Sequence, residues 1–269
     1  MSTLSVTNAI ASLMVAAGIA QAQWLDYPTP GIPRTADGKP NLSAPTPRTK
    51  DGKPDLSGIW AATTEVIDRG PLGPTATPRY WLDLGPGVRG GLPYQPWAGD
   101  LRKARFAANS KDHPMTQCLP LSIVLMHSHP LSRKVIQIPG LVGILSEYNM
   151  MYRQIFTDGR PLPVDPQPSF NGYSVGKWDR DALVVETIGF KDGLWLDGRG
   201  SPSTDAAKVT ERFRRVNFGT LEIEITVQDP KAYTMPWSVK VTQSLMPDTD
   251  LLEFVCLENE KDRSHMVGK

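Results

Sequence analysis

Residues 172–190 read GYSVGKWDRDALVVETIGF, and this stretch decides the fold. Aromatic and β-branched residues recur on both sides of a polar triplet at residues 179–181. Short apolar runs joined by an Asp-rich turn are typical of a β-hairpin. The stretch therefore predicts a strand, a tight turn and a second strand, with Asp179 and Asp181 as turn residues rather than as paired catalytic carboxylates.

The same pattern extends along the chain, because short apolar runs recur at hairpin spacing. The predicted strands include residues 123–126, 135–138, 142–148, 151–156, 208–216, 221–228, 237–245 and 251–257. So many strands with hardly any helix indicate a mainly β protein. A single antiparallel barrel over residues 58–269 is favoured over a sandwich, because closing the sheet removes its edges. One short helix is expected at residues 100–108.

Residues 1–22 are predicted to be an export signal. A mostly apolar run is followed by Ala20-Gln21-Ala22, which fits the small-x-small cleavage pattern and would leave Gln23 as the new N-terminus. The run is too short for a membrane anchor, so a periplasmic or secreted location is expected. The net charge of +1 gives no reason to expect nucleic acid or an anionic membrane as a partner.

Residues 23–57 form a Pro-rich segment with a direct repeat. PRTADGKPNLS at residues 33–43 returns as PRTKDGKPDLS at residues 47–57. Two copies are too few for a solenoid. Pro at this density, with Asp-Gly in each copy, predicts an extended, turn-rich arm. An arm along the domain surface is favoured over one that leads out to a partner protein.

Cys118 and Cys256 are the only cysteines. An even pair in an exported chain favours one long-range disulfide. Two buried free thiols are the alternative.

Four residues are candidates for acid/base chemistry. Tyr173 carries a proton and would act as a general acid or as a donor to a developing oxyanion. His129 or Glu147 would be the base, and Arg153 would anchor a substrate oxygen. Because Glu147 ends one predicted strand and Arg153 begins the next, a cross-strand ion pair between them is expected.

Aromatic residues concentrate in glycine- and proline-rich loops. Residues 69–97 form a long loop that carries Trp81, Tyr94 and Trp97, and a later loop carries Trp195. Long loops inside compact domains are often functional. These four side chains are therefore expected to bind substrate in the cavity, with plain packing as the alternative.

His127-Ser-His129 has a spacing that a metal site can use, but no third ligand is nearby, and a loop pair with structural hydrogen bonds is favoured. Two further familiar patterns match in letters only. Gly172-x-Ser174-x-Gly176 is not a nucleophile elbow, because the helix that the elbow needs does not follow. Residues 85–90 match the dinucleotide fingerprint inside a proline-rich loop that cannot begin a helix. No metal and no cofactor are therefore expected.

Several motifs together resemble a large group of exported bacterial proteins. The resemblance covers residues 54–269 and rests on motifs that include PDLSGIW (54–60), CLP (118–120), GYSVGKW (172–178), LVVET (183–187) and ERFRR (211–215). It implies a lipocalin-like barrel and export, and it implies no particular reaction. Similar proteins often read Pro-His-Ser where this chain has Pro202-Ser203-Thr204. Ser203 is therefore a further candidate, at which the resemblance implies lost or altered chemistry.

Three hypotheses on function follow. The first is an exported enzyme with cofactor-free acid/base chemistry, of lyase, isomerase or hydrolase type, on a small apolar or aromatic substrate in a barrel cavity. The alternative is a non-catalytic carrier of a small hydrophobic ligand. A third hypothesis has the repeated arm docking a partner, and a homodimer is left open.

Overall fold

The computed structural model describes residues 28–68 and 74–258, so the expected export signal lies outside the described residues. The strands are β1 (Gly58–Ala62), β2 (Thr64–Asp68), β3 (Pro74–Pro78), β4 (Arg133–Ile138), β5 (Leu141–Ser146), β6 (Tyr152–Phe156), β7 (Tyr173–Asp179), β8 (Ala182–Ile188), β9 (Leu194–Trp195), β10 (Pro202–Ser203), β11 (Lys208–Asn217), β12 (Thr220–Gln228) and β13 (Trp237–Leu245). The helices are α1 (Pro96–Ala107) and α2 (Ile123–Ser128). Within these ranges, no helix has the length and apolar character to cross a membrane.

Nine strands close into one barrel in the order β1-β13-β12-β11-β8-β7-β6-β5-β4, and β4 pairs back to β1. This confirms the predicted barrel. Residues 172–190 contain the β7–β8 hairpin, in which Asp179 pairs with Ala182 across a two-residue turn. Arg180 adopts a φ of +52° in that turn, the left-handed region that short hairpin loops require.

The prediction of a purely antiparallel sheet is wrong at one place. β6 and β7 run parallel and pair only at Ile155 with Ser174 and at Phe156 with Val175. A tight hairpin can join only antiparallel strands, whereas a parallel pair needs a longer crossover. The proline-rich residues between β6 and β7 provide that crossover. The barrel is therefore mixed, and its parallel contact is short.

The predicted strand at residues 123–126 is instead part of helix α2. Ser122 caps this helix, because its Oγ accepts a hydrogen bond from the Leu125 amide at 3.2 Å. All six helical residues are buried, and three of them pack against the inward side chains of the barrel. A short run that is apolar on every side fits a buried helix as well as a buried strand. Helix α1 begins at Pro96 rather than at the predicted residue 100. Proline is favoured in the first turn of a helix.

The predicted closing strand at residues 251–257 is likewise wrong. Residues 251–258, which we name the C-terminal strap, form only one isolated bridge, between Phe254 and Tyr148. The predicted disulfide is confirmed, since Cys118 and Cys256 are bonded across a sequence separation of 138 residues. A covalent bond, rather than a ladder of backbone hydrogen bonds, therefore holds the strap against the barrel.

The two repeats of the arm fold into the same turn. Gly38 and Gly52 adopt φ values of +80° and +78°, which explains the Asp-Gly in each copy. Each copy then uses two N–H groups of its arginine to bind an aspartate of a different barrel loop, in the pairs Arg34–Asp248 and Arg48–Asp181. The described part of the arm thus lies along the barrel surface.

Candidate functional site

A charged network crosses the barrel interior. The Glu211 side chain, from β11, is fully buried. It accepts hydrogen bonds from Arg153 Nη1 at 2.8 Å and from His127 Nε2 at 2.7 Å, and Arg153 Nη2 contacts its other oxygen. Arg153 also donates through Nε and Nη2 to Ser174 Oγ at 3.2 and 3.0 Å. Ser174 is hydrogen-bonded to Thr187 Oγ1 at 3.0 Å.

The charges of this network are balanced within it. Burial alone would raise the pKa of the Glu211 carboxyl, but the charge of Arg153 and the hydrogen bonds from Arg153 and His127 outweigh burial and lower that pKa to about 2. Burial lowers the pKa of His127, so the ring is neutral and donates from Nε2 to the carboxylate. One cation and one anion therefore balance each other without a ligand.

The expected ion pair between Glu147 and Arg153 is wrong. Arg153 points into the barrel and pairs with Glu211, which follows it by 58 residues. Glu147 lies beyond the end of β5, where its two oxygens accept hydrogen bonds from the amides of Ser132 at 3.0 Å and Leu252 at 3.1 Å. Glu147 thus caps backbone groups, and all three nitrogens of Arg153 have partners within the barrel. The assignment of Glu147 and Arg153 as site residues stays a prediction.

A pocket opens where β6 and β7 diverge. It has a volume of about 490 Å³ and is lined by residues 149–154 and 169–174 together with Pro120 and Phe156; we name it the seam pocket. Tyr173 lines it, and the rings of Tyr173 and Phe156 lie 5.3 Å apart. Arg153 and Ser174 reach it from the interior network. A cleft of this size with mostly aromatic and apolar walls suits a small molecule.

Two residues that line the seam pocket have a polar atom with an unused hydrogen-bonding capacity. The Asn171 amide nitrogen donates to the backbone oxygen of Tyr152 at 3.0 Å, so Asn171 Oδ1 points away from that strand. Asn171 Oδ1 is buried and has no hydrogen-bond partner within the described part of the chain. The Tyr173 oxygen accepts from Arg160 Nη1 at 3.3 Å, which leaves the Tyr173 O–H to donate.

A second group of buried side chains lies near the C-terminal strap. Ring contacts join His113, His129, Trp81 and Trp195, and Arg133 lies close enough to His129 for its charge to lower the pKa of that ring. We name these five residues the histidine cluster. The ring of His129 lies edge-on to Trp81 at 4.6 Å, and that of His113 lies 6.0 Å from Trp81 and 4.9 Å from Trp195. His113, His129 and Arg133 are all at least nine-tenths buried. The structure thus brings together His129, Trp81 and Trp195, as predicted candidates, but not in the seam pocket.

The backbone sets the tautomer of both histidines. His113 Nδ1 accepts the Met115 amide at 3.2 Å, and His129 Nδ1 accepts the Leu131 amide at 3.1 Å. Burial lowers the pKa of His113 to about 4 and that of His129 to about 3, so both rings are neutral at pH 7. A neutral ring whose Nδ1 accepts carries its proton on Nε2. Both Nε2 atoms are buried donors with no partner among residues 28–68 and 74–258.

This tautomer makes Nε2 a hydrogen-bond donor rather than a metal ligand. In the residues that the structure describes, no three His, Cys, Asp or Glu side chains come together in a way that could hold a metal ion.

The remaining candidates lie elsewhere. Ser203 is buried in the small β9–β10 sheet. The Tyr94 hydroxyl is hydrogen-bonded to Ser201 Oγ at 2.7 Å. Trp97 is 46% exposed and its Nε1 donates to a backbone carbonyl. None of the three lines the seam pocket, and their assignment as site residues stays a prediction.

Glu211, Arg133 and Asn171 were not predicted as site residues. Glu211 occupies an inward position in the alternating strand β11, between Val209 and Phe213, and that position was a usable signal. Arg133 is likewise a charged residue at a buried position, at the start of strand β4. Nothing in the sequence marks Asn171, because its role depends on where the crossover places it.

No protein-family model and no curated protein sequence matches this chain. The resemblance to exported bacterial proteins therefore rests on its motifs alone.

Proposed function

We propose that this chain binds a small, largely apolar aromatic molecule in the seam pocket, as a carrier or sensor. One observation carries the proposal: the buried Asn171 Oδ1 atom has no partner in the described structure and lies in an aromatic pocket. A buried polar atom without a hydrogen bond is costly, by about 1–3 kcal/mol. A ligand that donates to Asn171 removes this cost.

The polar atoms of the pocket define the class of ligand. Asn171 Oδ1 can accept a hydrogen bond, because it has no partner in the described structure, and the Tyr173 O–H can donate one, because the Tyr173 oxygen accepts from Arg160. Phe156 and Tyr173 supply flat apolar walls. An aromatic ring with a group that both donates and accepts, such as a carboxamide or a phenol, satisfies all of these groups.

We further propose that the protein works outside the cytoplasm, in the periplasm or as a secreted protein. The Cys118–Cys256 disulfide supports this location, because disulfides persist in oxidising compartments. The signal pattern at residues 1–22 points the same way.

Calorimetric titration with benzamide, and with toluene as a ligand without a polar group, tests the proposal. Asn171→Leu should weaken benzamide binding at least about ten-fold, which is 1.4 kcal/mol, and leave toluene unaffected. Gln228→Leu, which removes an amide from the exposed face of β12, is the matched control and should change neither affinity. Equal benzamide affinity in Asn171→Leu and the parent protein would refute the assignment.

A second candidate function is acid/base catalysis at the same pocket. The available O–H of Tyr173 favours it, since a general acid must have a proton to give. His129 and Glu147, the predicted bases, do not line the seam pocket, so a bound water or the substrate itself would have to serve. For any substrate that is turned over, Tyr173→Phe should lower kcat by about a hundred-fold or more, a larger effect than the loss of affinity of up to about ten-fold that one missing hydrogen bond causes. An unchanged kcat would exclude this role.

A further inference from the structure

Arg133 is a buried cation without an anion. It begins β4, is 1% exposed, and donates through Nη1 to the carbonyl of Met126. Its Nε and Nη2 atoms are also buried, and neither has a hydrogen-bond partner among the described residues. No carboxylate of the described chain lies within ion-pair distance of it. Buried charges in proteins are normally paired, because removing an ion from water is expensive.

The two unpartnered atoms share one edge of the guanidinium group. Nε–H and one N–H of Nη2 are parallel, and their spacing matches the two oxygens of a carboxylate. Arg153, elsewhere in the same barrel, uses this edge to hold Ser174. In Arg133 the equivalent edge is unused within the described structure.

We propose that the histidine cluster is a binding site for the carboxylate group of a small molecule, which the Nε–Nη2 edge of Arg133 binds side-on. The Nε2–H of His129 lies in the same cluster and supplies a further donor. Both histidines are neutral, so the cluster carries a single positive charge. One positive charge matches a monovalent carboxylate better than a phosphate dianion.

The nearby carboxylate of Glu147 does not occupy this place. It acts on Arg133 electrostatically, but its two oxygens are held by the amides of Ser132 and Leu252. Leu252 belongs to the C-terminal strap, and Phe254 of the strap stacks on Tyr148, whose ring is 5.2 Å from that of His129. The strap therefore packs beside the cluster, with Tyr148 between Phe254 and His129.

Calorimetric titration of the full oxidised protein with acetate tests the proposal, and acetamide is its neutral analogue of the same shape. Acetate should bind and acetamide should not, and inorganic phosphate should bind at least ten-fold more weakly than acetate. Arg133→Lys keeps the charge but removes the paired edge, so acetate affinity should fall at least ten-fold. Arg89→Lys, at an exposed position, is the matched control and should have no effect.

A second measurement covers the case in which Arg133→Lys fails to fold. In the unmutated protein, acetate should shift the ¹⁵N–¹H resonances of Arg133 Nε and His129 Nε2, and acetamide should leave them in place. The proposal is wrong if these resonances stay unmoved at high acetate, or if Arg133→Lys binds acetate as tightly as the parent protein. Neither experiment uses the seam pocket, so failure here is independent of the benzamide titration.

Discussion

Two buried arginines of the same barrel differ in what surrounds them. Arg153 on β6 faces Glu211, Ser174 and Thr187, and all three of its nitrogen atoms are hydrogen-bonded. Arg133 on β4 is buried to the same degree, yet two of its three nitrogens have no partner in the described structure. Equal burial therefore does not mean an equal role.

The comparison teaches how to separate structural charge from a site. Where a buried charge has its counter-charge and all its hydrogen bonds, as Arg153 does, it holds the barrel together and has little left for a ligand. In Arg133 two donor nitrogens are buried and unused in the described structure, and burial lowers the pKa of the guanidinium to about 9. A ligand can supply the missing anion. Three predictions test this distinction.

The largest effect is expected at Arg153. Arg153→Met leaves the Glu211 carboxylate buried without its cation, which should lower the free energy of unfolding by about 3–5 kcal/mol in urea denaturation. Combining it with Glu211→Leu removes both charges and should recover part of the loss. A double variant as unstable as the sum of the two single variants would show that the two charges do not depend on each other.

Some features of the fold and of its buried charges could be predicted from the sequence, and others could not. The β7–β8 hairpin and the alternating strand β12 follow from local patterns, and the disulfide follows from the cysteine count. The Arg153–Glu211 pair does not, because the two residues lie 58 positions apart and meet only when the barrel closes. Likewise, helix α2 gives no periodic signal, because all six of its residues are buried.

The residues of the seam pocket could also be predicted only in part from the sequence. Tyr173 was predicted as a site residue, but its partner Asn171 depends on the direction in which β7 runs. A proline-rich crossover indicates that the chain crosses the barrel, but it does not indicate a parallel return. The aromatic residues of the loops were visible in the sequence, but the sequence did not show that Trp81 and Trp195 meet in the histidine cluster and that none of the four lines the seam pocket.

The second effect is a difference in pH dependence between the two regions. Folded His113 and His129 have pKa values lowered from 6.5 to about 4 and about 3, so below pH 6.5 the unfolded chain binds protons that the folded chain does not. Their contribution to stability is complete above pH 6.5 and is lost as the pH falls. From pH 7.5 to 5 the free energy of unfolding should drop by about 2–4 kcal/mol.

The Glu211 carboxyl should respond in a different range. Its pKa is lowered from 4.5 to about 2, so its contribution is present above pH 4.5 and is lost only below it. Urea denaturation from pH 8 to 5 therefore reports on the buried histidines and not on the Glu211 carboxyl. His113→Phe combined with His129→Phe should reduce the slope between pH 7 and 5 without abolishing it, because burial also lowers the pKa of His127. An unchanged slope would show that other groups cause it.

The most direct test of the account is the stability of Arg133→Met beside that of Arg153→Met, each measured by urea denaturation in a buffer without carboxylates. Removing Arg133 gives up one hydrogen bond to the Met126 carbonyl but also removes an uncompensated buried charge. We expect the free energy of unfolding of Arg133→Met to lie within about 1 kcal/mol of the parent protein, against a loss of about 3–5 kcal/mol for Arg153→Met. Equal losses in the two variants would contradict the claim that Arg153 is structural and Arg133 is reserved for a ligand.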